Sequence, residues 1–498
     1  MPSRILPVVT KLAGSIGLAL ALSACTDTAP TLPKDFPNTT TDEAAIRDAD
    51  ERPNIIVVFT DDQGYADLGA QGILGDVVTP HIDQLAADGT RMTAGYVTAP
   101  QCTPSRAGLM TGRYQQRFGL DDNRFTPMNL DETTMADRLQ ESGYTTGMVG
   151  KWHLEIDQNS QGFDNDNVTL AERMPYFPDQ RGFDDVYFGY RNTWWINYDF
   201  NGNSLPSSYQ RNENYRLDVA TDASIAFIEK NKDDPFFLYL SYYGPHVPLE
   251  APDRYLSRFS SVPETRRQHG LAMMSAIDDG VGRLRERLAA NQLDDNTIIF
   301  FISDNGAPLG INRLDLPVTN NAGAWDGSLN DPLTGEKGML SEGGIRVPYI
   351  VSWPGTIPAG VVSDTPVTTL DVASTSLAAA GVDIPPELDG DNLLPELTGE
   401  SVLEERSLFW RFWSQSAIRK GPWKYLKAGA DHEFLFNMDN SIVETENLLS
   451  DFPEVAAELR AELDEWAGDL YRPGIPDNTL NNQEQGWYGH YFTAATEQ

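Results

Sequence analysis

Asn54-Ile55-Ile56-Val57-Val58-Phe59-Thr60 runs straight into Asp61-Asp62. An unbroken apolar core of this kind reads as a strand buried on both faces, as parallel strands between helical layers are. Thr297-Ile298-Ile299-Phe300-Phe301-Ile302-Ser303 repeats the pattern and ends in Asp304-Asn305-Gly306. Thr145 to Val149 leads into Gly150-Lys151-Trp152-His153, and Phe236 to Tyr243 into Gly244-Pro245-His246-Val247-Pro248. Helical patterns separate such runs, which is the alternation of an α/β fold. Four strands thus deliver polar or charged groups at their carboxyl ends, the edge at which open α/β sheets bind ligands.

Asp61, Asp62, Asp304 and Asn305 offer oxygen ligands alone, which suits Ca2+ or Mg2+ and no soft metal. One such pair reads equally well as the cap of a following helix. Two pairs on separate strands, converging on one sheet edge, favour a divalent ion. Adjacent buried carboxylates repel unless a cation or protons neutralise them.

At the N-terminus, Arg4 and Lys11 precede a short apolar run, Leu12 to Leu22, and then Ser23-Ala24-Cys25. The run is too short to span a bilayer and has the layout of a secretory signal. Leu22-Ser23-Ala24-Cys25 resembles a bacterial lipoprotein box. Residues 1–25 are therefore expected to be a lipoprotein signal, with Cys25 lipidated and an exported chain held in the cell envelope, at the outer membrane or in the periplasm, by lipid alone. Residues 26–52, rich in Thr, Pro, Asp and Ala, read as a solvated tether. The rest of the chain is too long for one compact core and predicts a large domain, 53–385, and a smaller one, 386–498. In the second, Leu408 to Trp413, Ser416 to Lys420, Trp423 to Lys427 and Glu433 to Asn437 read as short aromatic-rich strands, and Ala456 to Leu470 as a helix.

The composition, 40% apolar and 10% aromatic, is that of a well-packed globular protein. A formal net charge of −36 excludes nucleic acid as a partner, since no basic stripe exists to track phosphates. It does not exclude an anionic substrate. In a salty habitat the Debye length shrinks toward the ~3 Å of 1 M salt, and a local cationic cluster then decides binding.

Cysteine occurs only at Cys25 and Cys102. An exported chain cannot pair Cys102 internally, so it is either a buried inert thiol or a residue whose chemistry is used. The run Cys102-Thr103-Pro104-Ser105-Arg106, followed by Thr111-Gly112-Arg113, resembles the maturation signature of the type I, formylglycine-dependent sulfatases. The resemblance implies the alkaline phosphatase-like fold: a large central, mostly parallel sheet flanked by helices, with a smaller C-terminal antiparallel sheet plus helix. It implies oxidation of Cys102 to formylglycine (3-oxoalanine) by a formylglycine-generating enzyme or its anaerobic equivalent. It also implies one Ca2+ held by Asp61, Asp62, Asp304, Asn305 and the modified residue 102. Arg106, Lys151, His153, His246 and Lys337 match the family's catalytic cations, and Asp304 doubles as a catalytic group. Lys337 lies five residues before Glu342-Gly343-Gly344, with Ser341 where the family carries an aromatic residue. Pro104 suits the first turn of a helix beginning after Cys102, which would set residue 102 at a helix N-terminus, where an anion is favoured.

In the chemistry so implied, the aldehyde hydrate attacks sulfur, with Ca2+ and Arg106 lowering its pKa and Asp304 taking its proton. Lys151 and Lys337 clamp the sulfate oxygens and His246 protonates the leaving alcohol. His153 then deprotonates the second geminal hydroxyl, so that sulfate departs and the aldehyde returns. The expected activity is that of a sulfuric ester hydrolase on a sulfated carbohydrate. Alternatives are an arylsulfatase for small aryl sulfates, or a phosphonate or phosphate monoesterase of the same superfamily. From a different class comes a lipid-anchored glycan-binding protein on an inactive scaffold. Trp194-Trp195-Ile196-Asn197-Tyr198 and Trp325-Asp326-Gly327 read as irregular insertions beside the motif segments, and Trp410-Arg411-Phe412-Trp413 opens the small domain. Their aromatics either stack on sugar rings or pack the loops.

Overall fold

A computed structural model of the chain describes residues 52–493, apart from 158, 159, 162, 164–166, 322, 323 and 477. The predicted signal, Cys25 and all of the tether but Arg52 lie outside the described residues. The central sheet is built from β1 (Asn54–Asp61), β2 (Thr90–Met92), β3 (Thr145–Gly150), β4 (Asp185–Tyr190), β5 (Thr193–Tyr198), β6 (Ser204–Arg211), β7 (Phe236–Pro245), β8 (Thr297–Ser303), β9 (Tyr349–Ser352) and β10 (Val361–Ser363). Their spatial order is β10-β2-β9-β8-β1-β7-β3-β4-β5-β6. The run β8-β1-β7-β3-β4 is parallel throughout, with β1 at its heart. Antiparallel pairings lie outside it, at β9 on one side and at β5 and β6 on the other.

The unbroken apolar core of β1 follows from this position. Ile55, Val57 and Phe59 join Tyr239, Phe300 and Ile302 on one face, while Ile56 and Val58 join Leu238, Leu240 and Phe301 on the other. The first face is covered by helices Cys102–Thr111 and Leu370–Ala379 through Ala107, Leu109, Val372 and Leu377. The second is covered by Arg216–Asn231 and Thr265–Ala290 through Leu217, Phe227, Leu271 and Ile277. Each fully buried side chain of this size contributes about 1.5–3 kcal/mol, so both faces must be apolar for the strand to lie here.

Beyond the large sheet, β11 (Ser407–Phe412), β12 (Gln415–Lys420), β13 (Trp423–Ala428) and β14 (His432–Asn437) form an antiparallel sheet in chain order. One face, with Ile418, Tyr425 and Leu435, packs on helix Pro453–Gly468. The other, with Trp410, Phe412, Ala417 and Leu426, merges with the main core beside Tyr96 and Val97.

The aromatic segments take a different form from that expected. Trp194 to Tyr198 is no irregular insertion but part of strand β5. Trp194 and Trp195 are 0% and 3% exposed, ringed by Tyr187, Tyr243 and Phe177. Trp325 is buried with its indole N–H donating to the Ser328 carbonyl, and that of Trp410 donates to Val97. Trp413 stacks on Phe412 and Trp487. These aromatics pack the protein. Among the described residues no helix is long and apolar enough to cross a membrane.

Candidate active site at the carboxyl edge of the sheet

Strands β1, β3, β7 and β8 end at one edge, and the polar groups after them converge there. Asp61 is fully buried, and the Lys151 ammonium donates to both of its oxygens at 2.8 Å. Asp62 donates its backbone N–H to Asp304 Oδ1 at 3.0 Å, while its own Oδ1 accepts from Asn305 Nδ2 at 2.6 Å and Lys337 Nζ at 2.5 Å. Helix Cys102–Thr111 starts at Cys102 itself, a residue earlier than expected. The thiol donates to Asp61 Oδ1 at 3.6 Å, and Lys337 Nζ donates to the sulfur at 3.1 Å. One turn on, Arg106 donates to Asp304 Oδ2 at 2.6 Å and to Ser241 Oγ at 2.5 Å, beneath the ring of Phe59.

Backbone geometry aims these groups. Gly150 adopts φ +101°, and a Cβ there would lie 1.9 Å from the Ser241 carbonyl oxygen. That close approach lets the Lys151 N–H donate to the same oxygen at 2.8 Å. Asp62 and His153, at φ 64° and 62°, sit in the left-handed region, which costs a non-glycine residue energy and clusters at functional sites.

Burial would raise the Asp61 carboxyl, but Lys151, backed by His246, Arg106 and Lys337, holds it well below the usual carboxylate range. Burial pushes Asp304 up to about 6 in spite of Arg106. Burial, then Asp304, pushes the Cys102 thiol up to about 12. Burial opposes the Lys337 charge, yet Asp62 holds its pKa well above the usual lysine value. His153 falls to about 4 through burial and the Lys151 charge, although Asp157 lies 3.2 Å from its Nε2. His246 is lowered by burial, its Nδ1 2.6 Å from the Val247 carbonyl and its Nε2 3.6 Å from Asp62.

The sulfatase family model matches residues 53–382, and the model for the C-terminal part of N-sulphoglucosamine sulphohydrolase matches residues 335–469. The chain belongs to the sulfatase family. It is a sulfuric ester hydrolase of the alkaline phosphatase-like superfamily. An arylsulfatase of Hemicentrotus pulcherrimus is 32% identical over 400 residues, covering 75% of this chain and 67% of its own. N-acetylgalactosamine-6-sulfatase of Canis lupus familiaris is 30% identical over 409 residues, 76% of this chain and 72% of its own. The crystal structure of Ps i-CgsB in complex with k-i-k-neocarrahexaose superposes with TM-score 0.71 at 30% identity, covering 89% of this chain and 99% of that one.

In this sulfatase the donor set suits a hard cation. Asn305 Oδ1 is buried and accepts no hydrogen bond, although its amide nitrogen is engaged. An idle buried oxygen beside carboxylates is unfavourable unless a cation takes it. Asp61, Asp62, Cys102 and His246 each present a donor atom within 4.8 Å of the others.

Several residues that shape the site escaped the sequence reading. Ser241 and Tyr239 flank Arg106, and their signal was a polar side chain inside an otherwise apolar strand. Glu336 accepts the backbone N–H groups of Leu309, Gly310 and Ile311, tying the loop after β8 to the segment that carries Lys337. Asp326 is buried with Oδ2 unpartnered, and burial with the Asp62 charge raises its pKa well above the usual carboxylate range. Ser341, where the family has an aromatic residue, is fully buried with its hydroxyl unpartnered, and it packs so closely on Gly335 that a Cβ on that glycine would lie 1.9 Å from its Oγ.

Proposed function

We propose that this sulfatase is formylglycine-dependent, binds one Ca2+ and removes sulfate from a sulfated carbohydrate. We propose further that it is exported and anchored in the envelope by lipid on Cys25, with domain limits near residues 52 and 385. The observation that carries the catalytic reading is the seat of Cys102 on a buried helix N-terminus, with Lys337 and Asp61 at its sulfur. A thiol whose pKa stands near 12 is a poor nucleophile at neutral pH. Oxidation to an aldehyde hydrate replaces soft sulfur by hard oxygens, matching the ligand chemistry of Asp61, Asp62, Asp304 and Asn305. Ca2+, when bound, supplies Lewis-acid charge neutralisation at that position.

The chain's own groups divide the remaining work. Asp61, Asp62 and Asp304 balance Arg106, Lys151 and Lys337, so a divalent ion leaves the site net positive toward a sulfate ester. Lys151 and Lys337 hold the sulfate oxygens, and Asp304, near pKa 6, takes the proton of the nucleophile. His246, its Nδ1 on a carbonyl, directs Nε2 to the leaving oxygen, which it protonates as an imidazolium. His153 Nε2 faces Asp157, so its neutral ring carries the proton there and keeps a bare, unpartnered Nδ1 able to act as a base.

A carbohydrate substrate is supported by the 30% identity to Ps i-CgsB, whose structure holds a neocarrahexaose, and to N-acetylgalactosamine-6-sulfatase. The test is release of free sulfate from algal and animal glycans by protein matured with a formylglycine-generating enzyme and supplied with Ca2+. Mass spectrometry of the peptide bearing residue 102 reports the aldehyde. Cys102→Ser lacks a second hydroxyl and is expected to lose multiple turnover; full activity in that variant, or faster hydrolysis of phosphate or phosphonate monoesters, overturns the reading.

A further inference from the structure

Lys337 stands in a turn that glycine makes pliant. Gly335 and Gly338 adopt φ +93° and +96° on either side of it, and glycine loses more backbone freedom on ordering than any other residue. Yet Lys337 Nζ reaches Asp62 at 2.5 Å and residue 102 at 3.1 Å, so the turn has to be fixed from outside. Main chain nearby does part of this. The Lys337 N–H donates to the Ala307 carbonyl at 3.1 Å, and the Gly338 N–H to that of Pro100 at 2.9 Å.

The rest comes from a segment beyond both family matches, helix Asn482–Tyr488 and the residues just after it. The Trp487 indole, 3% exposed, lies on the bare Cα of Gly338, where a Cβ would stand 2.3 Å from its Cη2. Trp413 stacks on that indole at 6.1 Å, with the rings 16° apart. Tyr488 is fully buried, and its hydroxyl donates to Gln415 Oε1 at 2.7 Å. The same Gln415 amide accepts the Leu340 N–H at 3.0 Å and donates to the Gly338 carbonyl at 2.9 Å, so it clasps the chain just after Lys337. Tyr491 donates to Glu336 Oε1 at 3.3 Å, on the residue just before Lys337. The helix is itself set in place. Asn481 and Glu484 form a capping box, and Glu484 also accepts the Ser414 N–H at 3.1 Å.

We infer that Trp487 and Tyr488 are positioning residues for sulfate ester hydrolysis. They hold the turn 335–340 so that the Lys337 ammonium stands beside residue 102, Trp487 by covering Gly338 and Tyr488 by orienting Gln415. The inference rests on the role proposed for Lys337 and extends it to a part of the chain that the family resemblance leaves unassigned.

A kinetic double-mutant cycle separates positioning from general stabilisation. The probe is 4-nitrophenyl sulfate, since Lys337 grips the sulfate whatever the leaving group. In the matured, Ca2+-loaded enzyme, Trp487→Ala should lower kcat/KM by about tenfold to 10²-fold, the usual consequence of misplacing a catalytic group by about 1 Å. Trp487→Phe, which keeps a ring over Gly338, should restore most of it. In a Lys337→Ala background the same Trp487→Ala change should alter kcat/KM by no more than ~twofold, because the group it positions is gone. Where Lys337→Ala leaves too little turnover, calorimetric binding of inorganic sulfate to the Ca2+-loaded Cys102→Ala protein carries the same cycle. Should Trp487→Ala unfold, Tyr488→Phe, which removes one hydroxyl, replaces it in both backgrounds. Full activity in the folded variants, or equal losses with and without Lys337, overturns the inference. Full activity in Lys337→Ala itself would instead overturn the role proposed for that lysine, so the two failures are told apart.

Discussion

His246 Nδ1 lies against the Val247 carbonyl, whereas His153 holds its Nε2 against the Asp157 carboxylate. The two rings are therefore pinned by opposite nitrogens, which suits one to give a proton and the other to take one. For His246 the consequence is a leaving-group dependence. His246→Ala should slow glycan desulfation by roughly 10²–10⁴-fold, the usual span of general acid catalysis, and an activated aryl sulfate far less. Equal losses on both would remove His246 from the acid role. His153 makes a pH prediction. Its folded pKa of about 4 lies below the unfolded value of ~6.5, so protonation favours the unfolded chain. The stability this contributes is present above pH ~6.5 and is lost as pH falls toward ~4. Urea unfolding of the native chain should weaken faster over that window than that of His153→Gln, by up to about 1.4 kcal/mol per pH unit. Parallel slopes in the two proteins would count against it. Asp61, Asp62, Lys151, Asp304 and Asn305 were legible as residues because each stands at or directly beyond an apolar strand. Trp487 was not, since a lone tryptophan in a polar stretch carries no local sign of which turn it will cover.

At the scale of elements, β13 ties the small sheet to the large one through a buried charge. Lys424 is 0% exposed and donates to Glu342 and to Glu444, each at 2.8 Å. Glu342 also accepts from Arg346 at 3.1 Å and Tyr96 at 2.7 Å, whereas Lys424 is the only cation paired with Glu444 among the described residues. Lys424→Met should cost about 3–5 kcal/mol, because it strands a buried carboxylate, and adding Glu444→Gln should restore part of that loss. Chemical denaturation of the single and double variants measures the coupling, and strictly additive losses would dismiss it. Strands buried on both faces were readable from sequence, as were the four short strands of the C-terminal sheet. The β5–β6 hairpin was not. β6 reads Ser-Leu-Pro-Ser-Ser-Tyr-Gln-Arg and is exposed along nearly its whole length, so no apolar alternation announces it or its partner.

The whole molecule carries a net charge of −36, yet the described site sets three carboxylates against three basic side chains. A divalent ion among them would leave the site net positive, so that an anionic glycan is repelled at long range and attracted only near the sheet edge. Raising salt from ~10 mM to ~150 mM shortens the Debye length from ~30 Å to ~8 Å, which screens the first effect more than the second. kcat/KM for a sulfated oligosaccharide should therefore rise several-fold over that interval, and a steady fall would mean that the local cluster dominates even at distance. The fold class, and the sheet edge at which these polar groups gather, followed from sequence. A strand apolar on both faces and ended by ionic groups must lie inside the sheet with its terminus at an open edge. Tertiary structure alone decided who meets whom there. Arg106 reaches Asp304 across 198 positions, Asn305 reaches Asp62 across 243, and the tryptophans turn inward. Contacts between residues so far apart in the chain leave no period or spacing along it, and exist only once the strands have been laid side by side.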